Sequence, residues 1–381
     1  MPTLYALGLN LAGREALAAA ATEADLELFR AALGTTFKAP VDGVSIDGFA
    51  GASFATAPGT RVVAQVRFDS AEARGNFLNA LPSDGIGVGT DPVLLPADAW
   101  ATNGPGGALF GNRSMARALI GADALDQDAR GKGVNVVVLD AGLDREWLRE
   151  CRRRRGAADQ ENDAMGWTRY GWEGQPGLSR RVYYNPGSQR SAHAEMIVRN
   201  ILDLAPEATI WDVPLLPLEQ TLFLPVTLSI ASAILRRIRK EAEGGAVRVW
   251  DTRINASRTI KVDRAARWVL ANAWFVSDPD MLDPKDAGRL VPDWVRNYAD
   301  DPNHFLVNDM PRLAAAGLDV VFAAGNCGEP CPDGRCDPRH TGRGRSVLGA
   351  NAHPDVLTVG AVRADGLPIG LSAEGPGRLA E

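Results

Sequence analysis

The sequence "NVVVLDAGLD", residues 135–144, places four apolar residues directly before a carboxylate, Asp140. An apolar run without polar alternation predicts a strand that is buried on both faces of a parallel sheet. The small residues Ala141 and Gly142 then predict a turn. Because a charge at the end of a buried strand is costly unless it is paired, Asp140 needs a partner. The residue that pairs with Asp140 would indicate which chemistry this stretch supports.

Strands and helices alternate along the chain from about residue 108 onward. This alternation predicts an α/β fold with a doubly wound parallel sheet. Ligands bind beyond the carboxyl ends of the strands in such sheets, and both Asp140 and Asn326 lie at such ends. The predicted strands span residues 134–139, 208–216, 267–274, 318–326 and 356–362, and the predicted helices span residues 192–204, 227–245 and a segment that ends at 310–317.

The first hundred residues have a different pattern and predict a small α+β module. Ser70 is the expected N-cap of a helix in this module. The segment 89–107 is rich in Pro and Gly and is interpreted as a linker. We therefore divide the chain into residues 1–100 and residues 101–381. The elements expected in the module are a helix at 14–33, a strand at 60–68 and a helix at 70–81.

Composition excludes several classes of function. The 381 residues are 45% hydrophobic and 23% charged, which is typical of a globular protein. The net charge of −6 gives no indication of a nucleic-acid partner, and the basic run at residues 152–155 is interpreted as a solvated loop rather than an interaction patch. No stretch is apolar enough to span a membrane. The N-terminus lacks the pattern of a secretory signal, so we expect a cytoplasmic location.

Three of the four cysteines lie close together in "CGEPCPDGRC". Cys327, Cys331 and Cys336 are followed by His340, and such groups can bind zinc. Their spacing does not match the paired C-x2-C units of structural zinc sites. A local disulfide or free thiols are therefore favoured over a metal site.

Two further polar residues are candidates for the same edge of the sheet as Asp140. His193 opens a predicted helix whose apolar face is directed to the sheet, so it can pair with Asp140; a helix-terminal surface histidine is the alternative. Asn326 follows the strand "VVFAAG", where its side-chain amide can donate a hydrogen bond to a developing oxyanion. A simple turn asparagine is the alternative there.

Together these stretches resemble the subtilases, the subtilisin-like serine proteases. The sequence "GKGVNVVVLDAGLD" resembles the family's Asp motif, "HAEMIVRNILDLAPEATIWDV" its His motif, and "VVFAAGN" the strand of the oxyanion-hole asparagine. The resemblance extends from about residue 119 to residue 381 and implies a subtilisin-like fold. It implies that Asp140 orients His193 as general base, that Asn326 stabilises the oxyanion, and that the substrate is a polypeptide. The relay requires no metal or organic cofactor.

The sequence also departs from the family pattern. Ala194 and Glu195 replace the usual Gly-Thr after the histidine, and Ala141 replaces the usual Thr or Ser after the aspartate. None of these changes removes a group that transfers a proton. The larger departure is the serine. The sequence "LSAEGPG", residues 371–377, resembles the stretch that leads towards the serine in the family, but no Gly-Thr-Ser-x-Ala-x-Pro motif follows it within the 381 residues.

Ser53 in "GASFATAP" is an alternative nucleophile in a permuted arrangement. The spacing to Pro58 is one residue longer than in the serine motif, and a strand is predicted where that motif needs a helix. These two differences favour a loop of small residues.

Three explanations for the incomplete triad stay open. We expect a C-terminally incomplete serine endopeptidase whose serine lies beyond residue 381. The alternatives are a catalytically inactive module that binds peptides, and a serine supplied by Ser53 or by a second chain. The N-terminal module resembles an intramolecular prodomain by position, and an appended recognition domain fits equally well. A nucleotide-binding domain is disfavoured because neither G-x-G-x-x-G after a strand nor a P-loop is present, and the oligomeric state is open.

Overall fold

The structure is a computed structural model. It describes residues 113–126, 128–171, 182–216, 228–276, 304–328 and 347–362, together with strands of the first hundred residues and residues 70, 72, 73, 76, 372, 373, 375 and 377. The strands in these parts are β1 (Tyr5–Asn10), β2 (Val44–Gly48), β3 (Arg61–Phe68), β4 (Ile86–Thr90), β5 (Leu94–Pro96), β6 (Val134–Asp140), β7 (Arg169–Gly171), β8 (Val182–Tyr184), β9 (Thr209–Pro214), β10 (Ala246–Asp251), β11 (Ala256–Lys261), β12 (Arg267–Asn272), β13 (Trp274–Val276), β14 (Leu318–Ala323) and β15 (Val356–Val359). The helices are α1 (Arg113–Leu119), α2 (Arg145–Arg154), α3 (Ala192–Leu204), α4 (Leu228–Gly244) and α5 (Phe305–Ala315).

A five-stranded sheet in the order β15-β14-β12-β6-β9 forms the centre of the fold. Every neighbouring pair in it is parallel, so the predicted α/β fold with a parallel sheet is confirmed. Strand β6 lies between β12 and β9, and Val137, Val138 and Leu139 are fully buried. The uninterrupted apolar run therefore occupies an interior strand, as its composition requires.

Helices cover both faces of this sheet. Because side chains alternate along a strand, Val136 and Val138 of β6 pack with α2 and α3 on one face. Val137 and Leu139 pack with α4 and α5 on the other. By the same alternation Asp140 belongs to the α2/α3 face. Among the described helices none has the length and apolar character needed to cross a membrane.

A β-hairpin that the sequence analysis did not place follows α4. Strands β10 and β11 pair antiparallel and connect to the main sheet through Gly166, which bridges Asp212 on one side and Trp250 on the other. An ideal Cβ at Gly166 would lie 1.8 Å from the backbone oxygen of Asp212. Only glycine allows this close approach of two backbones.

The N-terminal strands form a separate four-stranded sheet in the order β2-β3-β1-β4. Ser70 Oγ accepts a hydrogen bond from the backbone N–H of Ala73 at 3.0 Å, so the predicted helix cap is present. The predicted helix at residues 14–33 lies outside the described residues. Part of the segment interpreted as a linker is a strand, because β5 pairs antiparallel with β13.

The basic run at residues 152–155 is not a solvated loop. Arg152 to Arg154 are the last residues of α2, and the Arg152 side chain is fully buried. Its guanidinium donates to both carboxylate oxygens of Asp163 and to the carbonyl oxygens of Pro206 and Ala208, at 2.5 and 2.6 Å. The interpretation of this run was wrong for Arg152 because a run of like charges does not show which member faces the core. Arg153 and Arg154 are exposed.

Candidate active site

Asp140 and His193 are in direct contact, although 53 positions separate them. The Nδ1 atom of His193 lies 2.8 Å from Oδ2 and 3.0 Å from Oδ1 of Asp140. The carboxylate is fully buried, whereas 11% of the imidazole surface stays exposed. The partner that the buried charge of Asp140 requires is therefore this histidine.

The contact determines the tautomer of His193. An ionised carboxylate can only accept hydrogen bonds, so Nδ1 must carry the proton that it donates to Asp140. In the neutral ring Nε2 then holds the lone pair that can accept a proton. This is the form that a general base requires.

The position of Asp140 is fixed by the end of β6 and the turn that follows. Its Oδ1 atom accepts the N–H of Ala141 at 2.6 Å, and its backbone carbonyl accepts the N–H of Leu216 at 2.9 Å. Gly142 adopts a φ of +104°, and a Cβ there would lie 2.9 Å from Cβ of Gln189. The glycine thus allows the chain to turn sharply directly after the carboxylate.

The position of His193 is fixed by the first turn of α3. Ser191 is the N-cap, and its hydroxyl oxygen accepts the N–H of Ala194 at 3.4 Å. Ala194 is fully buried among the apolar residues between α3 and the sheet. Glu195 is also buried and pairs with Arg190 at 2.8 Å. Both departures from the family's His motif are therefore accommodated without displacing His193 from Asp140.

Asp212 is a second buried carboxyl group near Asp140, and the sequence analysis did not single it out. It lies on β9, next to β6, and is fully buried. Its Oδ2 atom accepts the N–H of Gly187 at 2.8 Å and the N–H of Leu143 at 3.1 Å. Within the described residues its Oδ1 atom has no hydrogen-bond partner. A carboxylate inside the apolar sequence "ATIWDVPLL" was the signal that could have identified it.

Burial raises the pKa of Asp212 to about 7. The two backbone N–H groups oppose this change because they stabilise the charged form, and the nearby negative charge of Asp140 adds to it. The carboxyl group therefore changes its charge near neutral pH.

Asp212 connects the two segments that lead to the candidate pair. Leu143 belongs to the turn after Asp140, and Gly187 precedes α3. The same segments also bond directly, since the N–H of Gln189 donates to the carbonyl of Leu143 and the N–H of Arg145 donates to the carbonyl of Gly187, both at 3.2 Å. Asp140 and His193 are thus positioned by one continuous network of backbone hydrogen bonds.

Asn326 lies three residues after the end of β14 and is partly buried. Strand β14 is separated from β6 only by β12, so Asn326 is at the carboxyl edge of the same sheet as Asp140. The preceding Gly325 has a φ of +99°, and its carbonyl accepts the N–H of Ala373 at 2.9 Å. The role of the Asn326 side chain in stabilising an oxyanion stays a prediction.

The remaining candidates are covered only in part. Ser53, Cys331, Cys336 and His340 lie outside the described residues. Cys327 is disulfide-bonded, which agrees with the disulfide interpretation for this cysteine. Disulfides are typical of oxidising compartments, so this bond is at odds with the cytoplasmic location that we expected. In the described part of the chain no group of three or more His, Cys, Asp or Glu could hold a metal ion.

Comparisons with known proteins leave the family open. No protein-family profile and no curated protein matches this sequence. Among solved structures, the epidermin leader peptide processing serine protease (EpiP) of Staphylococcus aureus matches with 11% identity and a TM-score of 0.45, over 98% of this chain and 72% of that chain. A likeness of this size does not identify the function of this chain.

Proposed function

We propose that this chain carries the aspartate and histidine of a subtilisin-type serine endopeptidase that hydrolyses peptide bonds in a polypeptide substrate. The observation that carries the proposal is the hydrogen bond from His193 to the buried carboxylate of Asp140, at the carboxyl edge of a parallel sheet. Ligands of open α/β sheets bind at this edge. The same two residues occupy the Asp and His motifs of the subtilase resemblance.

Each residue has a defined role in the proposed reaction. Nε2 of His193 takes the proton of the serine hydroxyl as the serine attacks the scissile carbonyl, and then gives that proton to the leaving amine. Asp140 holds the ring in the correct tautomer and stabilises the imidazolium that forms. Asn326 donates to the tetrahedral oxyanion. No metal or organic cofactor takes part in this relay.

The nucleophile that we propose is a serine outside residues 1–381, and Ser53 is the alternative. Labelling with a fluorophosphonate probe distinguishes these cases, because such probes react with a serine that an adjacent base activates. The probe is applied to this chain and to a form extended along its native reading frame. His193→Ala and Asp140→Ala are the variants. His353→Ala is the matched control, because His353 also lies beside a carboxylate, 3.8 Å from Asp355.

Labelling of the extended form alone, lost in His193→Ala and retained in His353→Ala, is the expected result. Labelling of residues 1–381 that disappears in Ser53→Ala would instead establish a permuted site. An absence of labelling in both forms would contradict the proposed enzyme. The lack of a serine motif in the 381 residues favours one second candidate, a peptide-binding module, and a peptide array would then test it.

The Asp140–His193 contact can be tested without any nucleophile. A proton on Nδ1 that is hydrogen-bonded to a buried carboxylate gives a far-downfield signal in proton NMR. We expect this signal in the present chain and in His353→Ala, and its loss in Asp140→Ala. If Asp140→Ala retained the signal, the geometry on which the proposal rests would be wrong.

A further inference from the structure

A cavity of about 380 Å³ lies beside α2 and α3. This size is at the lower end of the range for small-molecule sites. Arginine is the most frequent residue in its lining, with one aromatic residue, one carboxylate and one thiol. The lining residues are Trp147, Glu150, Cys151, Arg154, Arg155, Arg190 and Arg199.

The positive charge at this cavity is a local feature, because the whole chain has a net charge of −6. Four guanidinium groups line the cavity with a single carboxylate. That carboxylate, Glu150, is already occupied by Arg153 and Arg154 at 2.7 Å. Hydrogen bonds from these two arginines lower the pKa of Glu150 to about 2, so it stays ionised and keeps its two partners.

Several guanidinium N–H groups at the cavity have no acceptor in the part of the chain that the structure describes. Arg154 uses only Nε, toward Glu150, and Arg190 uses only Nε, toward Glu195. Arg199 makes no hydrogen bond through its side chain there and lies over the ring of Trp147, 5.9 Å from its centroid. Each guanidinium has five N–H donors, so the lining offers many donors and few acceptors.

Arg155 and Cys151 form a fixed wall of the cavity. Arg155 binds Asp203 through Nε at 2.9 Å and also donates to the carbonyl oxygen and the sulfur of Cys151, at 3.0 and 2.9 Å. Burial raises the pKa of the Cys151 thiol, against the opposing effect of the nearby arginines. The thiol is therefore neutral, and it adds no negative charge that would repel an anion.

We propose that this cavity is a binding site for a phosphoryl or sulfuryl group, held by Arg154, Arg190 and Arg199. Arginine binds such oxyanions through paired, charge-assisted hydrogen bonds. The unused N–H groups supply these bonds, and the face of Trp147 can contact an organic part attached to the anion. The group can come from a free inorganic anion or from a phosphate ester. No step of the proposed protease reaction depends on this site.

Isothermal titration calorimetry of the whole chain with inorganic phosphate and with phenyl phosphate tests the proposal. We expect saturable binding that is about tenfold weaker in Arg199→Gln, the loss expected for a charge-assisted hydrogen bond. Arg154→Gln removes a cavity arginine that pairs with a glutamate four residues away. Arg239→Gln is its matched control, because Arg239 pairs with Glu243 at the same spacing on α4. We expect Arg154→Gln to weaken binding and Arg239→Gln to leave it unchanged.

Each outcome has a definite meaning. Tighter binding of phenyl phosphate than of phosphate identifies an ester as the ligand, and equal or weaker binding identifies the free anion. Binding that Arg239→Gln weakens as much as Arg154→Gln, or that sodium acetate at equal ionic strength abolishes, would show a general charge effect and overturn the proposal, as would the absence of saturable binding. Thermal unfolding of each variant verifies that it is folded. The measurement requires no catalysis, so its failure leaves the proposed protease function untouched.

Discussion

The two faces of the five-stranded sheet differ in the side chains that they bury. The α2/α3 face carries three buried aspartates, Asp140, Asp163 and Asp212. On the α4/α5 face the strands contribute apolar and aromatic side chains, and the buried carboxyl group there, Asp309 of α5, is paired with Arg236 and Ser232 of α4. There the rings of Trp167, Trp211 and Trp268 contact one another with centroids 5.7 to 6.2 Å apart.

The three buried aspartates of the α2/α3 face differ in their partners. Asp163 is paired with Arg152, which is always charged, so this ion pair stabilises the folded structure. Asp140 is paired with a histidine, whose charge can change. Asp212 has only backbone N–H groups. Burial alone therefore does not distinguish these three groups, and among them Asp140 alone contacts a side chain that can exchange a proton.

Breaking the permanent ion pair should give the largest effect. Arg152→Ala leaves Asp163 charged and buried without its counter-ion, which costs about 3–5 kcal/mol in the free energy of unfolding. Urea denaturation measures this loss. Arg153→Ala, one position along α2 and exposed, is the control and should change little. A small effect of Arg152→Ala would mean that Asp163 is not held as described.

A substitution in the core of the α4/α5 face should lower the free energy of unfolding because packing is lost. Leu235 on α4 is fully buried, and Leu235→Ala should cost about 2–5 kcal/mol because it leaves a cavity. Leu357→Ala is the control, since that side chain is 65% exposed. The loss at Leu235 should not vary with pH. A marked pH dependence would show that the substitution also disturbs Asp309, the buried carboxyl group of this face, whose pKa is raised by burial.

Replacing Asp212 should reveal a dependence of stability on pH. Its pKa is raised from 3.8 to about 7 in the folded chain, so between these values the folded state binds more protons than the unfolded state. Stability therefore falls as the pH rises from about 4 to about 7 and changes no further above that. The total loss is at most about 4 kcal/mol.

Asp212→Asn cannot titrate, so the variant does not lose this stability. The free energy of unfolding of the variant minus that of the unchanged chain should therefore increase between about pH 4 and about pH 7. Denaturation at several pH values measures the difference between the two chains. Asp319→Asn, an exposed position on β14, should show no such trend. An equal pH profile for Asp212→Asn and the unchanged chain would mean that Asp212 titrates normally.

The smallest effect is expected at a partly exposed ion pair of α4, Arg239 with Glu243. Arg239 and Glu243 lie one helical turn apart at 3.2 Å, and Arg239→Gln should cost about 0.3–0.5 kcal/mol. The same denaturation series detects it, and added salt should reduce it further. A loss as large as that of Arg152→Ala would remove the distinction between buried and surface pairs.

Much of the sheet could be predicted from the sequence, because buried parallel strands and capped helices have strong local patterns. Strand β6 was predicted from its apolar run, and α3 from its helical spacing. The hairpin β10–β11 was not predicted, although Val247, Arg248 and Val249 alternate as in a half-buried strand. Its contact with Gly166 joins distant segments and has no local pattern.

The candidate site, too, could be predicted only where its residues have a local sequence pattern. Asp140 could be singled out because a charge ends a buried strand, and His193 because it begins a helix near that edge. The place of Asp212 in the site could not be foreseen. It depends on the N–H of Gly187, 25 positions away, and on that of Leu143, 69 positions away. No local pattern reports such contacts.

The close approach at Gly166 also bears on self-association. The outer edge of β9 is already occupied by residues 164 and 165. The N–H of Ala164 donates to the carbonyl of Ile210 at 2.8 Å, and the N–H of Asp212 donates to the carbonyl of Met165 at 2.9 Å. On the other side of Gly166, the hairpin β10–β11 continues this series of backbone pairs. A sheet edge with unpaired N–H and C=O groups is a template for aggregation. At this side of the sheet the backbone groups of β9 are already paired with residues 164–166 of the same chain. These groups are therefore not available for pairing with a strand of a second copy or of another peptide.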